Sequence, residues 1–132
     1  MTTTDRYLLD TTALIDISKE IEPISSQIRD WLAGPDEVGT CGVVVAEFFA
    51  GLRPNEQLPW ITFIDSLEFW EVTRPIAIQA GVFRYHYARL GVTLSTTDTL
   101  IAAVAVGVGA TLVTRNIKDF PMNEVSTIRL GP

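Results

Sequence analysis

The sequence predicts a three-layer α/β/α fold built on a central, mostly parallel sheet. Two observations carry that expectation. Short apolar runs that suit buried strands alternate with longer stretches whose apolar residues recur every three or four positions. The chain has 132 residues, 47% of them hydrophobic and 20% charged, which is enough to bury a core in one domain spanning residues 1–132.

Taken in order, residues 7–10 form an apolar run that stops at an acid, followed by Thr11, Thr12 and the spacing Ala13, Leu14, Ile17. This reads as strand, turn and helix, with Thr12 as the expected N-cap. Ile24, Ile28, Trp31 and Leu32 share one face of a second helix, which stops at Gly34 and Pro35. Residues 37–41 read as the next strand. Val43, Val44 and Val45 are β-branched, but the length of the segment to residue 52 and its closing Gly51 favour a helix. Residues 59–67, with Trp60, Ile61, Phe63 and Ile64, suit a further helix, and residues 69–73 alternate like a strand. After Pro75, a favourable first-turn residue, Ile76, Ala80, Phe83, Tyr87 and Leu90 keep a 3.6-residue period. Ser95 to Asp98 supply caps for a helix carrying Leu100, Ile101, Val104 and Val108, which Gly107 and Gly109 are expected to end. Residues 111–114 and 126–130 complete the strands.

Composition removes several function classes. The apolar stretch 100–113 falls short of the roughly 20 residues a spanning helix needs, and the opening residues lack a basic segment followed by an apolar one, so a cytoplasmic protein without membrane association is expected. A single cysteine, Cys41, sits in an apolar stretch and reads as a small core residue. One Cys and one His cannot make a thiolate–imidazole zinc site. The net charge of −6 argues against a broad nucleic-acid-coating surface. Eight of the ten cations are Arg, which favours local, bidentate recognition of phosphate or carboxylate.

In such a fold, loops at the carboxyl ends of the strands gather along one edge, where ligands bind. Asp10 ends the first strand, Asp98 opens a helix, Glu47 lies one turn into its own, and Thr114, Arg115, Asn116 and Asp119 follow a late strand. Several carboxylates gathered without a nearby cation repel one another, and their ionised form then calls for a divalent ion with hard oxygen ligands, Mg²⁺ or Mn²⁺. Such a site activates water and holds a phosphodiester oxygen.

Each residue also has a plainer reading. Asp10 and Asp98 suit helix N-termini, where a carboxylate offsets the dipole by ~0.3–1 kcal/mol. Glu47 is flanked by apolar residues, among which an unpaired carboxylate would be costly. Asn116 and Asp119 suit a turn before Phe120 and Pro121, while Ser95, Thr97 and Thr114 suit caps. Asp16 reads as a solvated helix residue and His86 as a surface one. Trp60, Phe63 and Trp70 read as core, with room for one exposed aromatic patch facing a partner.

Four stretches together resemble the PIN domain: LLDTTALID at 8–16, AEFFAGL at 46–52, TDTLIAAVA at 97–105 and LVTRNIKDF at 112–120. The resemblance covers nearly the whole chain, and its small size is similar to VapC-type ribonuclease toxins of toxin-antitoxin modules. It implies Mg²⁺- or Mn²⁺-dependent endoribonuclease activity, with Asp10, Glu47 and Asp98 at the acidic metal-binding positions. The fourth position, often an acid, is Asn116 here, so either Asn116 fills it or Asp119 provides the charge. Thr114 matches a hydroxyl of the family's site, and Arg115 adjoins it as a candidate substrate contact. The resemblance further implies a VapB-type antitoxin, an RNA substrate and a homodimer. Arg53 and Arg84 are expected on the rim. A receiver-like Mg²⁺-binding signalling module would also place acids at strand ends, but the adjacent acid pair and late lysine of that pattern are missing. A haloacid-dehalogenase-like phosphatase would need Asp where Thr12 stands. A catalytically silent PIN-like domain would bind RNA or protein without cutting, and the presence of all three core acids counts against it.

Overall fold

The computed structural model describes residues 4–131. Its strands are β1 (Arg6–Leu9), β2 (Glu37–Cys41), β3 (Glu68–Trp70), β4 (Thr111–Val113) and β5 (Thr127–Ile128). Its α-helices are α1 (Thr11–Ser18), α2 (Ile24–Ala33), α3 (Gly42–Ala50), α4 (Gln57–Asp65), α5 (Arg74–Arg89) and α6 (Thr96–Val108), with short 3₁₀ turns at Pro54–Glu56 and Ile117–Asp119. The strands lie in the order β3-β2-β1-β4-β5, and every pair is parallel.

The inner strands of that order are buried. Leu8, Leu9, Val38, Cys41, Leu112 and Val113 are almost wholly inaccessible, as expected for strands covered on both faces. From β1 the chain steps outward to β2 and β3, then returns to lay β4 on the other side of β1. Right-handed crossovers therefore send the helices of the two halves to opposite faces, which gives the three layers. The reversal opens a crevice between the loops leaving β1 and β4, the place where sheets of this kind hold ligands.

The sequence reading of the elements holds in kind, with local corrections. Asp10, not Thr12, caps α1: its backbone is extended and its carboxylate accepts the Ala13 N–H at 2.9 Å. Gly107 does not end α6 but lies inside it, where a Cβ would come within 2.8 Å of Ile76, so it lets α5 approach; Gly109, with φ +69°, makes the stop. Leu90 falls past the end of α5 and is exposed, because the α5 stripe closes at Tyr87. The last strand is shorter than 126–130. Cys41 is buried and His86 is exposed. No helix among the described residues is long and apolar enough to cross a membrane.

Candidate functional site

The ladder between β1 and β4 continues one residue past β1, since the Asp10 N–H donates to the Val113 carbonyl at 3.2 Å. This pins Asp10 at the crevice, between the two diverging loops. Its carboxylate is 4% exposed and is surrounded by donors: the Ala13 amide, the Thr12 hydroxyl at 2.7 Å and the Thr114 hydroxyl. Both hydroxyls are themselves oriented, because Thr12 Oγ1 accepts the Arg115 N–H at 2.9 Å and Thr114 Oγ1 accepts the Asn116 N–H at 3.0 Å. With a backbone amide occupying one lone pair, each hydroxyl proton turns toward Asp10. Burial nevertheless outweighs these donors and pushes the pKa of Asp10 above the usual aspartate value.

Three other elements reach the same place. α6 begins with Ser95, whose side chain accepts the Asp98 N–H at 3.0 Å and so fixes the first turn. α3 brings Glu47, which the Thr11 hydroxyl holds at 2.7 Å. The 3₁₀ turn after β4 brings Asn116 and Asp119. Asp10, Thr11, Thr12, Glu47, Asp98, Ile101, Asn116, Asp119 and Phe120 line one cleft of about 150 Å³. Asp98 titrates above its ordinary value, first because it is partly buried and then because Asp119 and Glu47 repel its charge, although its bond to Ser95 opposes the rise. Asp119 and Glu47 thus act on Asp98 across the cleft.

All five expected acidic and amide residues, Asp10, Glu47, Asp98, Asn116 and Asp119, line this cleft. Both candidates for the fourth position are there, and Asp119 is the one that acts on Asp98 electrostatically. Thr114 lies 2% exposed beneath Asp10, so its hydroxyl serves the carboxylate. Arg115 turns its guanidinium to Asp16, with Nη1 3.3 Å from Oδ1. Arg84 donates to Thr96 at 2.9 Å beside the start of α6, whereas Arg53 precedes the 3₁₀ turn at Pro54–Glu56 and is absent from the cleft wall. The oxygen-rich lining fits a hard divalent ion in its chemistry. Among the described residues, though, no three His, Cys, Asp or Glu side chains already stand in a metal-ligating arrangement.

Two expectations are corrected. Glu47 is exposed rather than embedded, because Val44 and Phe48 take the buried face of α3 and leave Ala46 and Glu47 to the solvent side. Asp16 is 6% exposed rather than solvated. Its burial had a signal in the sequence, since Ala13, Asp16 and Ile17 are spaced i, i+3, i+4 on one face. Thr11 and Thr12, which hold Glu47 and Asp10, were also not singled out for the site, although a Thr-Thr pair directly after the strand-ending acid was visible.

Comparison with known proteins shows where the fold recurs. Ribonuclease VapC19 of Mycobacterium tuberculosis is 29% identical over 115 residues, covering 87% of this chain and 92% of that protein. Ribonuclease VapC2 of Rickettsia felis is 28% identical over 120 residues, covering 86% and 89%. Among solved structures, VapBC2 from Rickettsia felis, bound to a DNA fragment from its promoter, superposes with a TM-score of 0.81 at 24% identity, covering 94% of this chain and 98% of that one. DNA-bound VapBC from Salmonella typhimurium gives 0.81 at 23% identity, with 96% and 98% covered. The PIN-domain pattern matches residues 7–122, which run from β1 past the turn carrying Asp119, and the chain belongs to the PIN-domain family.

Proposed function

We propose that this protein is an Mg²⁺- or Mn²⁺-dependent endoribonuclease, the toxin of a toxin-antitoxin pair, acting in the cytoplasm. The observation that carries the reading is the gathering of Asp10, Glu47, Asp98, Asn116 and Asp119 in one cleft at the sheet's reversal point, with Asp98 disfavoured as an anion first by burial and then by two neighbouring acids. Relatives of similar length named as ribonucleases support the chemistry.

Asp10, Glu47 and Asp98 would hold the cation, with Asp119 adding charge and Asn116 a neutral oxygen. Once bound, such a cation makes water easier to ionise near neutral pH and offsets charge on a phosphodiester oxygen. Thr12 and Thr114 hold the Asp10 carboxylate in one orientation, and Thr11 does the same for Glu47. Ser95 fixes the turn from which Asp98 enters the cleft. Arg84, exposed beside that turn, supplies positive charge for substrate phosphates at the rim of an otherwise acidic site.

An antitoxin partner fits the outer face of α4, a helix with no buried residue. There Leu58 and Ile61 are 72% and 45% exposed beside an apolar hollow lined by Val45, Phe49 and Ile64. Trp60 and Phe63 pack edge-to-face beneath this face, and Phe48 extends the group, while Trp70 lies apart over Gly39. VapBC complexes among the structural neighbours support that kind of partner. The direct test is cleavage of a mixed RNA panel by purified protein in Mg²⁺, Mn²⁺ or EDTA. Cutting that EDTA abolishes is expected, and intact RNA in every condition would leave a silent RNA- or protein-binding domain.

A further inference from the structure

Asp16 stands on α1 outside the cleft, and its burial calls for a reason. Its side chain is 8% exposed, and its Oδ1 accepts no hydrogen bond. The guanidinium of Arg115 lies 3.3 Å from that oxygen, at ion-pair distance but out of hydrogen-bond alignment, and is itself 44% exposed. The pairs Arg6–Glu37 and Arg29–Glu22 differ in kind, since both partners in each are well exposed. A buried carboxylate is costly, and this one spends its charge on a residue of the loop that supplies the cleft.

That loop is fastened to α1 at two points. The Arg115 N–H donates to Thr12 at the start of the helix, and the Arg115 side chain reaches Asp16 one turn further on. On either side of Arg115 stand Thr114, which donates to Asp10, and Asn116 and Asp119, which line the cleft. Thr114 is held to β5 by its N–H, which donates to the Ile128 carbonyl at 3.1 Å; beyond it the ties are internal to the loop, Asn116 N–H to the Thr114 hydroxyl, Asp119 N–H to the Asn116 carbonyl and Phe120 N–H to the Ile117 carbonyl. We propose that Asp16 is a positioning residue for the acidic cleft, acting through Arg115 to set residues 115–119 against α1 so that Asn116 and Asp119 meet Asp10 and Asp98. The inference rests on the metal-dependent reading of the cleft and extends it to a residue that touches neither cation nor substrate.

The test uses Asp16→Asn, Arg115→Gln and the double variant, each checked for cooperative melting, with two readouts. Native-state hydrogen exchange at the Arg115 and Asn116 amides is expected to quicken about tenfold or more in both single variants while amides of β1 and α6 keep their wild-type rates; a residue that merely adds stability would move all of them together. Binding of Mn²⁺ alone, by calorimetry, is expected to weaken about 10–100-fold, as outer positioning groups typically do, with the double variant no worse than the singles. A folded Asp16→Asn protein with wild-type Mn²⁺ affinity overturns the proposal, as do losses that add in the double variant. If Asp16→Asn does not fold, Arg115→Gln carries the same expectations from the exposed side of the pair. Asp98→Asn separates the two levels, since it should lose Mn²⁺ while leaving exchange at Arg115 and Asn116 unchanged. If the wild type binds no Mn²⁺, the reading of the cleft fails, and exchange alone then decides whether Asp16 holds the loop.

Discussion

Replacing Asp10 by Asn tests whether its charge is there for the fold or for a cation. Asn caps a helix as well as Asp does, so the bond from the Ala13 amide survives within a few tenths of a kcal/mol. The hydroxyls of Thr12 and Thr114 would donate to a neutral oxygen instead of a charged one, which costs roughly 1 kcal/mol each. Against this stands the burial of an ionised carboxylate, and the raised pKa of Asp10 means that burial exceeds what all its donors return. The sign over pH follows. An acid whose folded value is raised costs nothing below its unfolded value of roughly 3.9 and destabilises the fold increasingly as pH rises toward the folded value, after which the cost is constant. Without metal near pH 7, Asp10→Asn should therefore match or exceed the wild type, with each kcal/mol worth about 3–5 °C in a chain of this length. Its advantage should disappear as the pH falls through the carboxylate range. Added Mn²⁺ should reverse the order: at a hundredfold excess over Kd the wild type gains about 2.7 kcal/mol, and a variant with tenfold weaker affinity about 1.4. Melting curves in EDTA and across a Mn²⁺ series report both effects. A variant that melts well below the wild type in EDTA at pH 7, or that responds equally to Mn²⁺, would refute the reasoning.

Three further outcomes are expected. Asp119→Asn should weaken Mn²⁺ binding or cleavage more than Asn116→Ala, because Asp119, unlike the neutral Asn116, brings a charge that Asp98 feels; the reverse ranking would assign the fourth position to Asn116. RNA binding should weaken with salt at a slope near −0.7 per phosphate contact, and Arg84→Ala should reduce the slope by about one such contact, whereas an unchanged slope would take Arg84 off the path of the substrate. Gly39→Ala should lower stability by about 1–3 kcal/mol in denaturant titration, since the new Cβ would lie 2.6 Å from the Trp70 ring and 2.8 Å from the Glu68 carbonyl; wild-type stability would mean the sheet edge can shift.

How much of this was legible in the sequence depended on how local the cause was. Strand-ending Asp10, helix-opening Asp98 and the glycine stop at Gly109 each carry their own signal, and all three stand where expected. The cap of α1 did not resolve, because Asp10, Thr11 and Thr12 can each cap and only the ladder bond from Asp10 to Val113 sets the register. The exposure of Glu47 was hidden by the three valines and two phenylalanines around it, whose apolar surplus blurs the face that α3 turns inward. Asp16 needed the most distant information. Its place on the buried face of α1 had a local signal, but its partner Arg115 is a loop residue that reaches α1 only because β4 returns to lie beside β1.

The central claim is that Asp98 serves a cation in RNA cleavage and does not merely begin a helix. Ser95 is the cap of α6, so Asp98→Asn leaves the bond from its backbone N–H to the Ser95 side chain in place and removes a charge already strained by Asp119 and Glu47. Cleavage of one RNA panel in Mn²⁺ by wild type and by folded Asp98→Asn therefore tests it most directly. Near-complete loss of cutting is the predicted result, and near wild-type cutting by the variant would contradict the account.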